Sequence, residues 1–442
     1  MKWILGTFVL LLLGLFLKLS FLVYAMYVLV GILLLSRFFT QVWMENLVAR
    51  RSCNLEALEI GELAQVEVEV ENKGRLSIPW LLIEDSLPRE AMTQMPQRIQ
   101  VDGPRLALMR LSPGESIIPI SYVVKFLMRG YYQLGPLLVE TGDVFGLHRR
   151  FRVMTEPHFA LVLPKVLPLQ GYNLASRRPI GEIRVMHRLF KDPTRLAGVR
   201  LYQQGDPLNR IHWRATARTG EIHSRVFESS RVAGATFLLD FHAQSYQETG
   251  DAASAELAIM AVAALANAVF LMGEQIGFAS NGRDAADRIR EEGWSAEFVT
   301  RDEALRQTNI APSNARLRPI LVETGKSQDR FRWILETLAR LEHTDGLEFS
   351  EMVREVASRI PRNATVVAVL RKVTPAIAAS IGDLARQGFL VTTVVVTFDT
   401  DVIPDWAQPP EWAEMLLAQG IDFHMVNTEE SITNLCAQAI VR

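Results

Sequence analysis

Residues that build covalent cross-links and metal clusters are scarce in this chain. Its 442 residues include two cysteines, Cys53 and Cys436, which lie near opposite ends of the sequence and form no CxxC pair. This argues against a disulfide framework and a structural zinc site, and it is typical of a reducing compartment. An excess of one charge is also missing, because the formal net charge is −2. We therefore expect no nucleic-acid partner.

Motifs of common enzymes are missing as well. The sequence has no HExxH motif, no nucleophile elbow and no GxGxxG run. Gly325-Lys326-Ser327 is similar to the end of a phosphate-binding P-loop, but Ile320 stands where that loop needs its first glycine. We therefore predict an ordinary turn at this tripeptide, and we expect no enzymatic activity and no cofactor.

Long hydrophobic runs, in contrast, are present at the N-terminus. Trp3 to Leu17 carries no charge, and a second apolar run extends from Phe21 to Leu35. Each run has about 15 residues, and Lys18 and the flanking residues supply the rest of the roughly 20 that span a bilayer. A cleavable signal peptide needs a small-residue cleavage site, and a core helix needs polar positions at helical spacing. Neither pattern is present, so we predict a two-helix transmembrane hairpin over residues 1–40.

Basic residues predict the orientation of this hairpin. Lys2 precedes the two runs and Arg37, Arg50 and Arg51 follow them, whereas the connecting loop holds only Lys18. Cytoplasmic flanks of membrane helices carry an excess of Lys and Arg. We therefore predict a two-pass protein of the cell membrane whose soluble domains are cytoplasmic.

The first soluble region, residues 53–165, has the pattern of short strands. Gln65 to Asn72 alternates apolar and polar residues, and Asn72-Lys73-Gly74 favours a turn. Several further strand-like runs lie between Pro and Gly residues, with no long amphipathic helix among them. This pattern predicts a β-sandwich, which we interpret as a spacer or docking domain.

The last region, residues 232–442, has a different pattern. Continuous apolar runs such as Ala235 to Leu239 alternate with helical stretches, including an Ala-rich helix from about Ala252 to Met272. Buried strands that alternate with helices predict a doubly wound α/β domain with a parallel sheet. Ligands of such domains usually bind at the carboxyl edge of the sheet.

Residues 177–231, called the linking segment below, lie between these two regions and are strongly basic. They hold eleven Arg and one Lys against five acids, a local balance of 12 − 5 = +7. Asp206 followed by Pro207 predicts a helix start, and Gly220 predicts its end. On that helix Leu208, Ile211 and Ala215 would share an apolar face, and Arg210, Arg214 and Arg218 would form a basic stripe.

Two interpretations of the stripe stay open. In the first, the arginines join the two domains by pairing with acids and carbonyls, and Trp213 packs in the joint. In the second, part of the stripe faces outward and binds an acidic partner or a phosphate, because a guanidinium suits both targets.

The same segment carries a resemblance to a known family. Its run Gly-Asp…Arg-x-x-Trp…Ala-Arg, preceded by Arg200-Leu-Tyr202, resembles the signature of the "domain of unknown function 58" family, and Arg129 to Leu147 resembles the end of that family's β-domain. The signature residues that we predict to bind a partner are Tyr202, Gly205, Asp206, Arg210, Ile211, Trp213, Arg214 and Arg218.

This resemblance implies a membrane-anchored protein with a von Willebrand factor A-like C-terminal domain. It also implies association with a MoxR-type AAA+ ATPase, and in some members with a transglutaminase-like membrane protein. The family has no established enzymatic activity, so the resemblance indicates a partner and not a reaction.

Domains of the von Willebrand factor A type often hold a divalent ion through Asp-x-Ser-x-Ser after the first strand. Asp240 matches the acid here, but His242 and Gln244 replace both serines. Such a site also uses an Asp on a later loop. The strand that should lead to this Asp is instead followed by Arg371-Lys372, two positive charges that would repel a cation. We expect no metal, and we expect Asp240 to cap a loop.

The leading hypothesis is a non-enzymatic membrane adaptor that recruits a cytoplasmic AAA+ ATPase. One alternative is a metal-dependent or hydrolytic enzyme that uses the carboxyl edge of the sheet near Asp240. Another is a cell-envelope assembly component that acts through a membrane partner.

Overall fold

The chain forms two compact units in the computed structural model. One consists of Met1–Val162 with Ile289–Ala311, and the other of Leu163–Arg288 with Pro312–Arg442. The structure describes residues 6–7, 9–10, 12–13, 16–17, 20–54, 58–93, 96–169, 196–202, 211–227, 234–247, 251–292, 317–362, 364–397 and 411–435.

The N-terminal apolar residues are helical. Helix α1 spans Ser20–Glu45, and at 1.5 Å per residue its 26 residues extend about 39 Å. By length and composition its Val23–Glu45 portion could cross a membrane. Large apolar side chains along it are exposed, among them Phe21, Tyr24 and Val28. The described residues of the first predicted run other than Leu17, which lies in a turn, are helical as well: Gly6, Thr7, Val9, Leu10, Leu12, Leu13 and Phe16.

Helix α1 does not end near residue 40, where the sequence led us to end the hairpin, but continues to Glu45. Its last turns belong to the core of the first unit, because Thr40, Trp43 and Met44 are buried and Phe39 packs against the same apolar cluster. Leu33, Ser36, Thr40 and Trp43 recur every three or four residues, so one helix face is covered. The helix is therefore both an apolar segment and a wall of the β-rich domain.

The rest of the first unit is β-rich, as predicted. Its strands form two four-stranded antiparallel sheets, ordered β1-β3-β7-β5 and β10-β9-β4-β6, and a three-stranded sheet β2-β11-β8. The bounds are β1 Leu47–Cys53, β2 Leu58–Glu59, β3 Leu63–Asn72, β4 Ile78–Asp85, β5 Ile99–Asp102, β6 Leu106–Leu111, β7 Ser116–Phe126, β8 Gly130–Leu134, β9 Leu137–Gly142, β10 Arg149–Thr155 and β11 His158–Leu163, with a short helix α2 at Arg89–Thr93.

Alternation in the sequence explains how the two four-stranded sheets face one core. In β3, Val66, Val68 and Val70 are fully buried, whereas the glutamates between them are not. Leu81 and Ile83 of β4 join the same apolar cluster from the second sheet. The predicted turn is present, because the amide N of Gly74 donates to Oδ1 of Asn72 over 2.9 Å.

The second unit contains an α/β domain with a six-stranded sheet in the order β17-β15-β14-β19-β20-β21. Numbered along the chain, this is the doubly wound order 3-2-1-4-5-6. All neighbouring strands are parallel except edge strand β17, which runs antiparallel to β15. The bounds are β14 Ala235–Leu239, β15 Ile276–Ser280, β17 Ile320–Gly325, β19 Thr365–Leu370, β20 Leu390–Val396 and β21 Asp422–Val426, and β16 Arg283–Asp284 pairs with β18 Leu341–Glu342.

Helices cover both faces of this sheet. The predicted Ala-rich helix is α4, Asp251–Leu271, and it lies in one core with residues of α6 (Gln328–Arg340) and α10 (Glu429–Thr433). Residues of α7 (Phe349–Val356), α8 (Pro375–Arg386) and α9 (Glu411–Ala418) form the core on the opposite face. Although α4 is long and apolar enough to cross a membrane, it is mostly buried inside the unit. Helix α5 spans Ala285–Glu292.

Candidate functional site

The described part of the linking segment is a small β-α-β element of the second unit. Strand β12, Leu196–Leu201, pairs antiparallel with β13, His223–Phe227, and helix α3, Trp213–Thr219, precedes β13. The backbone N–H of Tyr202 donates to the carbonyl of Ile222 over 2.8 Å, and Ile211 forms an isolated antiparallel bridge with Ser224. Tyr202 is half-buried and Ile211 is buried, so both signature residues hold the element together.

Both ends of α3 are capped by local residues. Nδ1 of His212 accepts from the backbone N–H of Ala215 over 3.0 Å, which satisfies a free donor of the first turn. Gly220 ends the helix with φ of 76°, a left-handed conformation that glycine adopts without a Cβ clash. The predicted helix end at Gly220 is confirmed.

The helix that ends at Gly220 begins at Trp213, so the predicted apolar face that includes Ile211 is wrong. Ile211 lies in a β-bridge and His212 has φ −91° and ψ 81°, so the chain is not helical immediately before Trp213. Ile211 therefore cannot share a helix face with Ala215. Bridging to β13 outweighs the local helical pattern, a tertiary effect that spacing alone does not reveal. Gly205, Asp206, Pro207, Leu208 and Arg210 lie outside the described residues.

The outer side of α3 presents the remaining signature residues. Trp213 is 68% exposed, and Arg214 and Arg218 are also exposed, four residues apart on one face of the helix. We call these three residues the Trp213 surface. This indole is not packed within the described part of the second unit, and the interpretation in which it packs in a joint between the domains stays a prediction. Val199, Leu201 and Ile222 of the same β-α-β element are exposed apolar residues as well.

A second candidate site lies at the carboxyl end of β14. Asp240 follows this strand and is 1% exposed. Its Oδ2 accepts from Oγ of Ser245 over 2.6 Å, and its Oδ1 accepts from Nδ2 of Asn281 over 2.9 Å and from the backbone N of His242 over 3.2 Å. The expectation that Asp240 caps a loop is confirmed. Strands β14 and β19 flank the switch point of the sheet, where ligands of doubly wound folds bind.

The sequence reasoning missed two of these contacts. Ser245 stands five residues after Asp240, outside the Asp-x-Ser-x-Ser spacing, and Asn281 follows β15, the neighbouring strand. The signal that could have found Asn281 is its place directly after a buried strand, because the carboxyl ends of adjacent parallel strands meet at one edge.

The environment of Asp240 does not fit a divalent ion. Burial raises the pKa of Asp240 above its usual value, whereas the hydroxyl of Ser245, the amide of Asn281 and the backbone N–H of His242 act in the opposite direction. Both carboxylate oxygens already accept hydrogen bonds from protein donors, and a hard cation needs free oxygen ligands. Nδ1 of His242 accepts from the backbone N of Gln244 over 3.3 Å. Among the described residues, no three His, Cys, Asp or Glu side chains are grouped to hold a metal.

The tripeptide Gly325-Lys326-Ser327 is a strand end followed by a helix cap. Gly325 ends β17, and Oγ of Ser327 accepts from the backbone N of Arg330 in the first turn of α6 over 3.1 Å. The tripeptide thus joins a strand directly to a helix, and the predicted turn is not present as a separate element.

Comparison with known proteins identifies the region that holds both candidate sites. Residues 198–301 match the family model described as "Protein of unknown function DUF58". The uncharacterized protein YeaD of Bacillus subtilis (strain 168) is 23% identical over 238 residues, which cover 53% of this chain and 56% of that protein. The match thus spans about half the length of this relative. The resemblance read from the signature residues is confirmed.

Solved structures add no argument about fold or function. The CARDB domain of a Pyrococcus furiosus protein is 14% identical, with 26% of this chain and 87% of that chain covered and a TM-score of 0.17. Proximal thread matrix protein 1 from the mussel byssus is 9% identical, with 46% of each chain covered and a TM-score of 0.27.

Proposed function

Taking the chain as a member of the DUF58 family, whose function is unknown, we propose that it is a non-enzymatic adaptor anchored in the cell membrane. Helix α1, together with the helical residues before it, holds the protein in the bilayer, with the soluble units in the cytoplasm. The second unit, a von Willebrand factor A-like domain in this proposal, recruits a MoxR-type AAA+ ATPase through the Trp213 surface.

The observation that carries the proposal is the exposure of Trp213 beside two exposed arginines. A large indole in water is costly, and Trp and Arg are the residues most enriched among the energetic centres of protein interfaces. Arg214 and Arg218 favour an acidic complementary surface, because guanidinium groups bind carboxylates in a bidentate way. A partner with an apolar pocket for Trp213 and acidic side chains around it for Arg214 and Arg218 would complement this surface.

The state of Asp240 supports the non-enzymatic part of the proposal. Its carboxylate is engaged by Ser245, Asn281 and the backbone of His242, so it stabilises the loop after β14. A nucleophile or general base needs an oxygen that can reach a substrate. Isothermal titration of the full chain with Mg²⁺ or Mn²⁺ is expected to show no micromolar binding, and tight binding would favour the enzymatic alternative.

The test of the adaptor proposal is capture of a purified MoxR-type ATPase by the full chain in nanodiscs. The variant replaces Trp213 by Ala and both Arg214 and Arg218 by Glu. The matched control changes Trp333→Ala, Arg330→Glu and Arg332→Glu on α6, because Trp333 is 50% exposed and Arg330 lies over its ring.

We expect the native chain and the α6 control to retain the ATPase in a nucleotide-dependent way, and the Trp213-surface variant to lose it. Since all the changed side chains on α3 are exposed, the variant should keep its fold, which circular dichroism would verify. Equal retention by the two variants would mean that docking lies elsewhere. No retention under any nucleotide condition would remove the ATPase from the proposal.

A further inference from the structure

The loop between β9 and β10 presents an apolar surface that the adaptor proposal does not use. Val144 is 75% exposed, Phe145 70% and Leu147 45%. Beneath them Asp143 is buried, and its carboxylate accepts from the backbone N–H groups of Phe145 over 3.1 Å and His148 over 2.6 Å. The acid therefore shapes the loop from inside, and three apolar side chains face outward.

Side-chain contacts join the end of this loop and the strand after it to specific residues of α1. Oγ of Ser36 lies 3.2 Å from Nδ1 of His148, the residue that closes the loop. Further along, Nη2 of Arg150 donates to Oε1 of Gln41 over 3.3 Å. Nη1 of Arg152 then donates to the carbonyl of Met44 over 3.3 Å.

The three contacts show that α1 and β10 run parallel to each other in the same direction. From Ser36 to Met44 an α-helix rises about 12 Å, and from His148 to Arg152 a strand rises about 13 Å. The loop comes before β10 in the chain, so it lies toward the part of α1 that precedes Ser36. That part is the apolar run, where Leu34 and Leu35 are each 55% exposed.

Exposed basic and aromatic residues lie next to the contact between Ser36 and His148. Arg37 is exposed one residue after Ser36, and Phe38 is exposed beside it. The side chain of Arg149, directly after the loop, is 67% exposed. Basic and aromatic side chains next to an apolar run are the composition of a membrane interface, where arginines meet lipid phosphates and rings lie at headgroup depth.

We propose that Val144, Phe145 and Leu147 insert into the interfacial layer of the bilayer that holds α1. The ligand is the lipid surface itself, with Arg149 and Arg37 at the phosphates. The inference rests on the membrane placement of α1, which is part of the proposed function. Contact through both the helix and the loop fixes the tilt of the β-rich domain against the membrane, which a single helix alone leaves free.

The test is the depth of a nitroxide label on the full chain, reconstituted in nanodiscs of phosphatidylcholine and phosphatidylglycerol. Cys53 and Cys436 are first replaced by Ser, and single labels are then placed at Phe145→Cys, Val144→Cys, Val28→Cys and Leu106→Cys. Val28 reports whether α1 is in the bilayer. Leu106 of β6 is the matched control, because it is apolar and 54% exposed. It pairs with Glu84 of β4, and Glu84 pairs with Leu138, which lies at the end of β9 away from the loop.

We expect labels at positions 28, 144 and 145 to be accessible to oxygen and several-fold less accessible to a water-soluble nickel chelate than the label at position 106. A bilayer position for Val28 with a water-exposed label at both 144 and 145 would overturn the loop proposal and leave the anchor intact. A water-exposed label at Val28 would overturn both the anchor and the loop proposal.

Discussion

At the scale of single residues, the most consequential charged contact is the pair of Arg51 and Asp85. Both side chains are fully buried in the first unit, and the guanidinium meets both carboxylate oxygens. The hydroxyl of Tyr122 donates to Oδ2 of Asp85 over 2.8 Å, and Nη1 of Arg51 donates to the carbonyl of Leu134 over 3.0 Å. Every member of this group depends on the others, because a buried charge without its partner is costly.

Removal of one partner should therefore destabilise the first unit strongly. We expect Arg51→Met to lower the free energy of unfolding by about 3–5 kcal/mol, the usual cost of leaving a buried charge unpaired. The double variant Arg51→Met with Asp85→Leu should be less destabilised than Arg51→Met, because no buried charge remains. Thermal unfolding of the purified variants measures both, and a double variant that is less stable than Arg51→Met would contradict this account.

His424 in β21 is a different kind of buried polar residue. It is 2% exposed, and neither ring nitrogen has a hydrogen-bond partner within the described part of the chain. Burial lowers the pKa of His424, although the charge of Asp422 acts in the opposite direction. The neutral imidazole is therefore the form that the fold accommodates.

Acid should weaken the second unit through this residue. With the folded-state pKa depressed, the unfolded chain binds a proton near pH 6.5 before the native protein does, so stability falls as the pH drops from 7 toward 5. The slope from one such group is at most about 1.4 kcal/mol per pH unit. We expect His424→Leu to reduce this slope in denaturant titrations at several pH values. Parallel pH profiles for the native chain and the variant would show that His424 does not cause the loss.

At the scale of elements, α1 is part of the core of the first unit and, in the proposed function, also the membrane anchor. Its exposed apolar residues match a bilayer, while Trp43, stacked on Phe39 with ring centroids 5.7 Å apart, lies in the core of the β-rich domain. A fragment that begins at Cys53 would therefore lack this part of the core and nearly all of β1, so the full chain is the suitable material for experiments.

The core role of α1 predicts a sharp contrast between neighbouring aromatic residues. Trp43→Ala should destabilise the first unit by about 3–5 kcal/mol, since it leaves a cavity in an apolar cluster. Phe38→Ala should leave the stability of the unit nearly unchanged, because Phe38 is 58% exposed. Limited proteolysis in detergent, with cleavage within β3 to β7 as the readout, distinguishes the two variants. Equal protection of both would place the end of the helix outside the core.

Elements with a strong repeat could be predicted from the sequence, and contacts between distant segments could not. Alternation predicts β3, and the uniform apolar runs predict the parallel strands of the second unit, because these patterns are local consequences of burial. The bridge of Ile211 with Ser224 and the bond of Asn281 with Asp240 join residues that are 13 and 41 positions apart and do not share a helix or strand. The spacing of residues within one element does not indicate such contacts. The start of α3 and the partners of Asp240 were therefore not predicted from the sequence.

At the scale of the whole molecule, the two tasks of the proposed adaptor are assigned to different units. In the proposal, α1 and the β9–β10 loop of the first unit contact the bilayer, and the Trp213 surface of the second unit recruits the partner. Variants of one surface should therefore leave the other activity intact.

The most direct test of the adaptor is photo-cross-linking in living cells. The full chain carries a photoreactive phenylalanine in place of Trp213 or, as the control, in place of Trp333, the other exposed indole with an arginine beside it. We predict that the probe at position 213 captures a MoxR-type ATPase at the membrane and that the probe at position 333 does not. Capture at both positions alike, or at neither, would contradict the assignment of the Trp213 surface as the docking site.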